Sequence, residues 1–228
     1  MNTISMPGFS DPFSAISHLV GVLLALYYSI NLIRLAAVHR GWQVAVSVFV
    51  FSVIFLLSMS GVFHLLDHGS LGRDVLQRLD HAGIFALIAG TFTPVHSILF
   101  KGVFRWGFLF LIWGLAITGI TLKTIFFNDL AEWLGLMFYL GLGWMGIFSA
   151  YYTHRLHGFT IIRPLLYGAL AYTLGASIEF LRLPVVIQGV IGPHEIFHIA
   201  VLAGIAWHWL FVRDLLMLKL NEQELKGH

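Results

Sequence analysis

His194 and His198 stand four residues apart in the stretch "GPHEIFHIAVLAGIAWHWLFV". On a helix that spacing puts both imidazoles on one face, about 6 Å apart along the axis. One tetrahedral zinc ion can then take a nitrogen from each at about 2.0–2.1 Å. The core of the stretch, "HEIFH", also matches H-E-x-x-H, in which the glutamate (here Glu195) is the general base of a zinc protease. Ser60 and His64 repeat the four-residue spacing, and "HLLDH" adds His64 with His68 as a second histidine pair. Asp80 opens "DHAGI", with Gly83 one turn after the acid. The chain has 12 histidines and no cysteine. Thiolate sites and disulfides are excluded, and any metal must be held by histidine, carboxylate or water.

The elements that must position these groups are membrane helices. Of 228 residues, 58% are hydrophobic and 11% charged, with a mean hydropathy of +0.86. A soluble domain carries about 25% charged residues, so lipid is the solvent for most of this chain. Apolar runs near the ~20 residues a helix needs to cross hydrocarbon lie at roughly 16–38, 42–66, 80–100, 103–122, 130–152, 164–181 and 194–218. The pattern predicts an all-α integral membrane protein, a seven-transmembrane-helix bundle forming a single domain over 1–228. The two-residue alternation of a membrane barrel is absent. The net charge of +2 is scattered and gives no footing for nucleic acid. The N-terminal "MNTISMPGFSDPFSAIS" lacks a basic n-region, so no cleaved signal is expected.

Helix parity sorts the polar residues by face. His18 starts the first helix, His64 ends the second, Asp80 starts the third, and His194 and His198 start the seventh. All five fall at the face that holds the N-terminus. Ionisable groups in a membrane face the bundle interior and each other, so His64, His194, His198 and Asp80 converge as a histidine-rich zinc site. The aspartate would bind directly or hold a metal-bound water. Gly83 would let a neighbouring helix approach closely. Simpler readings stand beside this one. An acid near a helix N-terminus is favoured by the dipole anyway. His68 lies further into the loop and ranks below His64. His39, His96, His154, His157 and His228 read as interfacial polar residues. Pro94, in "GTFTPV", is expected to kink the third helix, with Thr91 and Thr93 satisfying the freed backbone.

Three stretches also carry a family resemblance. "SGVFHLLDH", "RLDHAGIFALIAGTFTPV" and "PHEIFHIAVLAGIAWHW" match S-x-x-x-H, D-x-x-G-I and H-x-x-x-H motifs in order, and "AISHLVGV" fits the first helix. Over about residues 11–211 the chain resembles the bacterial hemolysin III proteins, which are similar to the progestin and adipoQ receptor family. The resemblance implies a seven-helix fold with zinc near one membrane face. His64, His194 and His198 would bind the ion, Asp80 would hold or orient a zinc-bound water, and Ser60 would be a donor behind them. The wider group includes alkaline ceramidases, which implies metal-dependent hydrolysis of lipid amides. Zinc would lower the pKa of water and polarise a carbonyl, with Asp80 as general base and a lipid-tailed substrate drawn from a bacterial inner membrane. The bacterial name instead records membrane lysis, and a role in membrane homeostasis is a further possibility.

Other classes fit less well. Intramembrane proteases resembling site-2 proteases carry H-E-x-x-H in an early helix with a later aspartate ligand, and here the order is reversed. No amphipathic element converts a soluble form into a pore, and no paired broken helices mark a transport path. Arg73, Arg78, Lys123 and Arg182 fall at the N-terminal face, against nine Lys and Arg at the other. The positive-inside rule then puts the N-terminus outside, whereas the resemblance implies an inside N-terminus with zinc near the cytoplasmic face.

Overall fold

The computed structural model describes residues 9–227. The stretch 1–8 and His228 lie outside the described residues. In chain order the helices are α1 (Pro12–Ala36), α2 (Arg40–Phe63), α3 (Leu71–Leu99), α4 (Gly102–Ile125), α5 (Glu132–Trp144), α6 (Gly146–His157), α7 (Phe159–Leu181) and α8 (Pro193–Gly227). α5 and α6 continue one another through Met145 as a single span, Glu132–His157, which gives seven helices long and apolar enough to cross a membrane. Leu23, Phe51, Phe110 and Phe148 are exposed on the outside of the bundle, the surface that lipid must cover. The chain is an all-helical, multi-pass membrane protein.

Several helix ends differ from the hydropathy reading. α3 begins at Leu71 rather than at residue 80. Ser70 caps it, its hydroxyl accepting the Arg73 N–H at 3.3 Å, and Asp74 lies in the first turn, where the helix dipole favours an acid. The stretch "GRDVLQR" is therefore helix, too polar for hydrocarbon but well capped. Asp80 consequently sits more than two turns inside α3, and the dipole does not account for it. α7 starts at Phe159, directly after Gly158 at φ 82°. α8 runs on to Gly227, with Lys219 and Glu222 paired at 2.8 Å on its polar extension. Thr91 and Thr93 donate to the carbonyls of Leu87 and Ala89, not to that of Gly90, which Pro94 leaves without its helical donor. Thr93 instead also receives the Trp113 indole N–H at 3.0 Å.

α2 and α3 are the most buried spans. One apolar core joins α1, α2, α3 and α8 through residues such as Leu32, Phe49, Leu57, Phe211 and Leu215. A second joins α3, α4 and α5 through Phe85, Ile112, Ala116 and Leu142. α3 belongs to both, so it fixes the two halves relative to each other. It approaches the backbone of α2 closely at Gly83. A Cβ there would lie 3.0 Å from Leu56 Cδ1 and 3.2 Å from the Leu56 Cα. Leu56 precedes Ser60 by one turn and Gly83 follows Asp80, so this contact brings Ser60 to Asp80.

A valine at position 83 would meet backbone that cannot give way. Gly83→Val is expected to destabilise the bundle by roughly 1–3 kcal/mol, read as a lower midpoint of thermal unfolding in detergent. Gly114→Ala is the control, since a Cβ there meets nothing within 4 Å. Its midpoint should not fall.

Candidate metal centre

The site is assembled from helix ends. α8 starts at Pro193, and the Glu195 carboxylate folds back to accept the Gly192 N–H at 2.9 Å, half of a capping box. Its other oxygen accepts the Ser14 hydroxyl of α1 at 3.4 Å. This fixes the first turn of α8, and with it the face that carries His194 and His198. His64 is the C-cap of α2, still in a right-handed helical conformation, so its ring leaves the end of that helix at the same level.

Three imidazole nitrogens converge there. His194 Nε2 lies 3.2 Å from His64 Nε2 and 3.1 Å from His198 Nε2, and ligand atoms of all three residues lie within 4.8 Å of one another. Each Nε2 has either one lone pair or one proton, so hydrogen bonds alone cannot satisfy the central nitrogen with both neighbours. Two ligands at 2.0–2.1 Å in tetrahedral geometry are themselves about 3.3 Å apart. Two of the three spacings match that value, and the group could hold a metal ion.

The opposite ring nitrogens orient the rings. His64 Nδ1 lies 3.0 Å from Asp11 Oδ2, and His194 Nδ1 lies 3.4 Å from Glu179 Oε1. Donation at Nδ1 assigns the tautomer that leaves Nε2 free for a metal. Each carboxylate is in turn held by an arginine. Arg73 bonds Asp11 at 2.5 Å and also donates to the carbonyls of Phe63 and Leu66 at the end of α2. Arg182 reaches Glu179 at 2.5 Å and Glu132, at the start of α5, at 2.6 Å. His198 is supported differently. It is 2% exposed and stacks on His18, ring centroids 3.9 Å apart, so His18 forms the floor beneath the group and is not part of it.

Asp80 stands outside the group of three. Its side chain is 15% exposed, has Ser60 as a hydrogen-bond partner, and lines a cavity of about 1040 Å³ together with His64 and His194. The carboxylate thus faces the space in front of the histidines. His68, at the mouth, is 66% exposed in its side chain and 3.7 Å from Asp11. His96, expected at the interface, is buried instead. Its Nε2 lies 2.8 Å from the Ser149 hydroxyl and its Nδ1 3.1 Å from the Phe104 carbonyl, so both polar atoms are satisfied inside the bundle. His208 is buried too, bonded to the Leu165 carbonyl at 3.3 Å.

The family described as haemolysin-III related matches residues 9–209. The chain belongs to that family. It is 34% identical over 200 residues to "Hemolysin-3" of Bacillus cereus, covering 85% of each chain. It is 32% identical over 198 residues to "Hemolysin-3 homolog" of Bacillus subtilis (strain 168), covering 85% of this chain and 88% of that one. The family match begins before Asp11 and ends beyond His208, so every group described above lies inside it.

Four of these groups are absent from the sequence-based set: Asp11, Arg73, Glu179 and Arg182. Asp11 precedes Pro12 and reads as a helix cap, yet its side chain makes no cap bond and turns to His64. Glu179 was detectable. It is a lone acid in "GASIEFLRL", and helix parity puts it at the level of His194.

Loss of an outer carboxylate typically costs a metal site 10–100-fold in affinity. Asp11→Asn is expected to weaken zinc binding by about that factor, measured by competition with a coloured chelator. His68→Ala should leave the affinity unchanged.

Proposed function

We propose that this protein is a zinc-dependent hydrolase of lipid amides that works at one face of the membrane. The observation that carries the reading is His194 Nε2 lying 3.2 Å from His64 Nε2 and 3.1 Å from His198 Nε2, beside a cavity that Asp80 also lines. Zinc bound by His64, His194 and His198 would lower the pKa of water towards ~7 and polarise an amide carbonyl.

The chain's own residues supply the proton chemistry. Asp80, positioned by Ser60, takes a proton as water adds to the acyl carbon. It returns that proton to the amine nitrogen as the C–N bond breaks, leaving a fatty acid and a free amine. Glu195 is not available for this role, because its two oxygens hold Gly192 and Ser14. The lipid tail needs an apolar space within reach of the polar cavity. An apolar cavity of about 210 Å³ lies inside the bundle among α3, α5, α6, α7 and α8. Tyr139 lines it, and its hydroxyl donates to the His81 carbonyl at 3.4 Å, next to Asp80.

Purified, zinc-loaded protein should release fatty acid from ceramide-like amides. His194→Ala should lose more than the roughly 10–100-fold that an outer partner costs, while Glu195→Gln keeps most of its activity. Equal release by His194→Ala would sink the hydrolase. Leakage of liposomes that persists without His64, His194 and His198 would favour lysis instead.

A further inference from the structure

Five carboxylates (Asp11, Asp80, Glu132, Glu179 and Glu195) line the large polar cavity, yet one of the cations beside them is left without an ion pair among the described residues. Three Lys or Arg side chains line it: Arg73, Lys123 and Arg182. Arg73 is held by Asp11, and Arg182 by Glu132 and Glu179. Lys123 has neither an ion pair nor a hydrogen bond among the described residues, although it is only 8% exposed. The carboxylate that acts on it electrostatically is Glu132, which is already committed to Arg182.

The side chain lies along the cavity wall. Its ammonium lies 5.2 Å from the centre of the Phe127 ring, a cation–π contact. α5 passes it at Gly135, where a Cβ would come 3.0 Å from Lys123 Cε and 3.2 Å from Nζ. The same Cβ would lie 3.9 Å from the ring of Tyr139, which lines the apolar cavity. An ammonium in a membrane bundle is costly unless it meets an anion or lines a water-filled path to a charged ligand. An aromatic face supplies only part of what water would.

We infer that Lys123 binds the anionic head of an amphiphile, a carboxylate or phosphate, in the cavity that His64 and His194 line, with the tail directed past Tyr139 into the apolar cavity. This rests on the hydrolase reading for the location of the substrate and adds a preference within its class: lipid amides that carry an anionic head over neutral ceramide-like ones.

The test uses the zinc-loaded full chain in phosphatidylcholine nanodiscs, with equilibrium binding of radiolabelled dodecyl phosphate, laurate and neutral dodecanamide. At least one of the two anions should bind about 10-fold more tightly than the amide, the range of one charge-assisted hydrogen bond. Lys123→Gln and Lys123→Met should each lose about that factor for the anion while keeping their affinity for dodecanamide and their zinc content. Lys123→Arg should retain it. Which anion binds identifies the head group. No preference for either anion in the unmodified protein overturns the proposal, as does an unchanged preference in Lys123→Gln. The first measurement stands even if a variant fails to fold. Binding is read without turnover. Anion preference without hydrolysis of any amide would therefore refute the hydrolase alone, and hydrolysis without anion preference would refute the Lys123 site alone.

Discussion

Three imidazoles crowded together, with one Nε2 close to two others, form an arrangement that imidazoles do not adopt for their own sake. Without a cation the nitrogens compete for too few protons, so the geometry must be imposed from outside. Much of the architecture at this end of the bundle serves that imposition. Two carboxylates turn two of the rings, two arginines hold the carboxylates, and those arginines also tie down the end of α2 and the start of α5. The third ring is held by stacking on His18. The close approach of α2 to α3 at Gly83 then brings Ser60 and Asp80 to the same region.

How much of this could be read in the sequence depends on what kind of information each part carries. The seven spans and their all-helical class follow from apolar run length, because hydrocarbon admits few alternatives. The three histidines follow from four-residue spacing together with parity, which converts chain order into depth. The start of α3 did not follow, since hydropathy measures what sits in hydrocarbon, and the first turns of α3 are polar helix standing clear of it. Asp11 was hidden for another reason. An acid before a helix-opening proline has a conventional use as a cap, and only the three-dimensional course of the chain shows that its carboxylate is spent elsewhere. His96 was misjudged because its partners, Ser149 and the Phe104 carbonyl, come from parts of the chain that parity brings to its level but spacing does not reveal.

Glu195 shows how a short motif can mislead. The string "HEIFH" places a glutamate between two histidines that fit a metal, which is the arrangement of a protease base. What decides its chemistry is where its lone pairs go. Here they satisfy a helix start and a serine of α1, so the residue sets the direction of the α8 histidines although it sits at the edge of the same cavity. The same accounting separates Arg73 and Arg182, whose charges are consumed within the structure, from Lys123, whose charge is not.

The centre draws its parts from both ends of the chain. The Asp11 N–H bonds the His64 carbonyl at 3.0 Å, so the segment before α1 is stitched to the end of α2, while two of the three histidines arrive only with α8. A nascent chain entering the membrane from its N-terminus thus carries a half-site through the insertion of four further spans, and the ring of nitrogens closes when the last helix takes its place beside α1. The three-histidine group is thus a record of completed assembly. A chain stalled before its seventh span has only one of the three imidazoles.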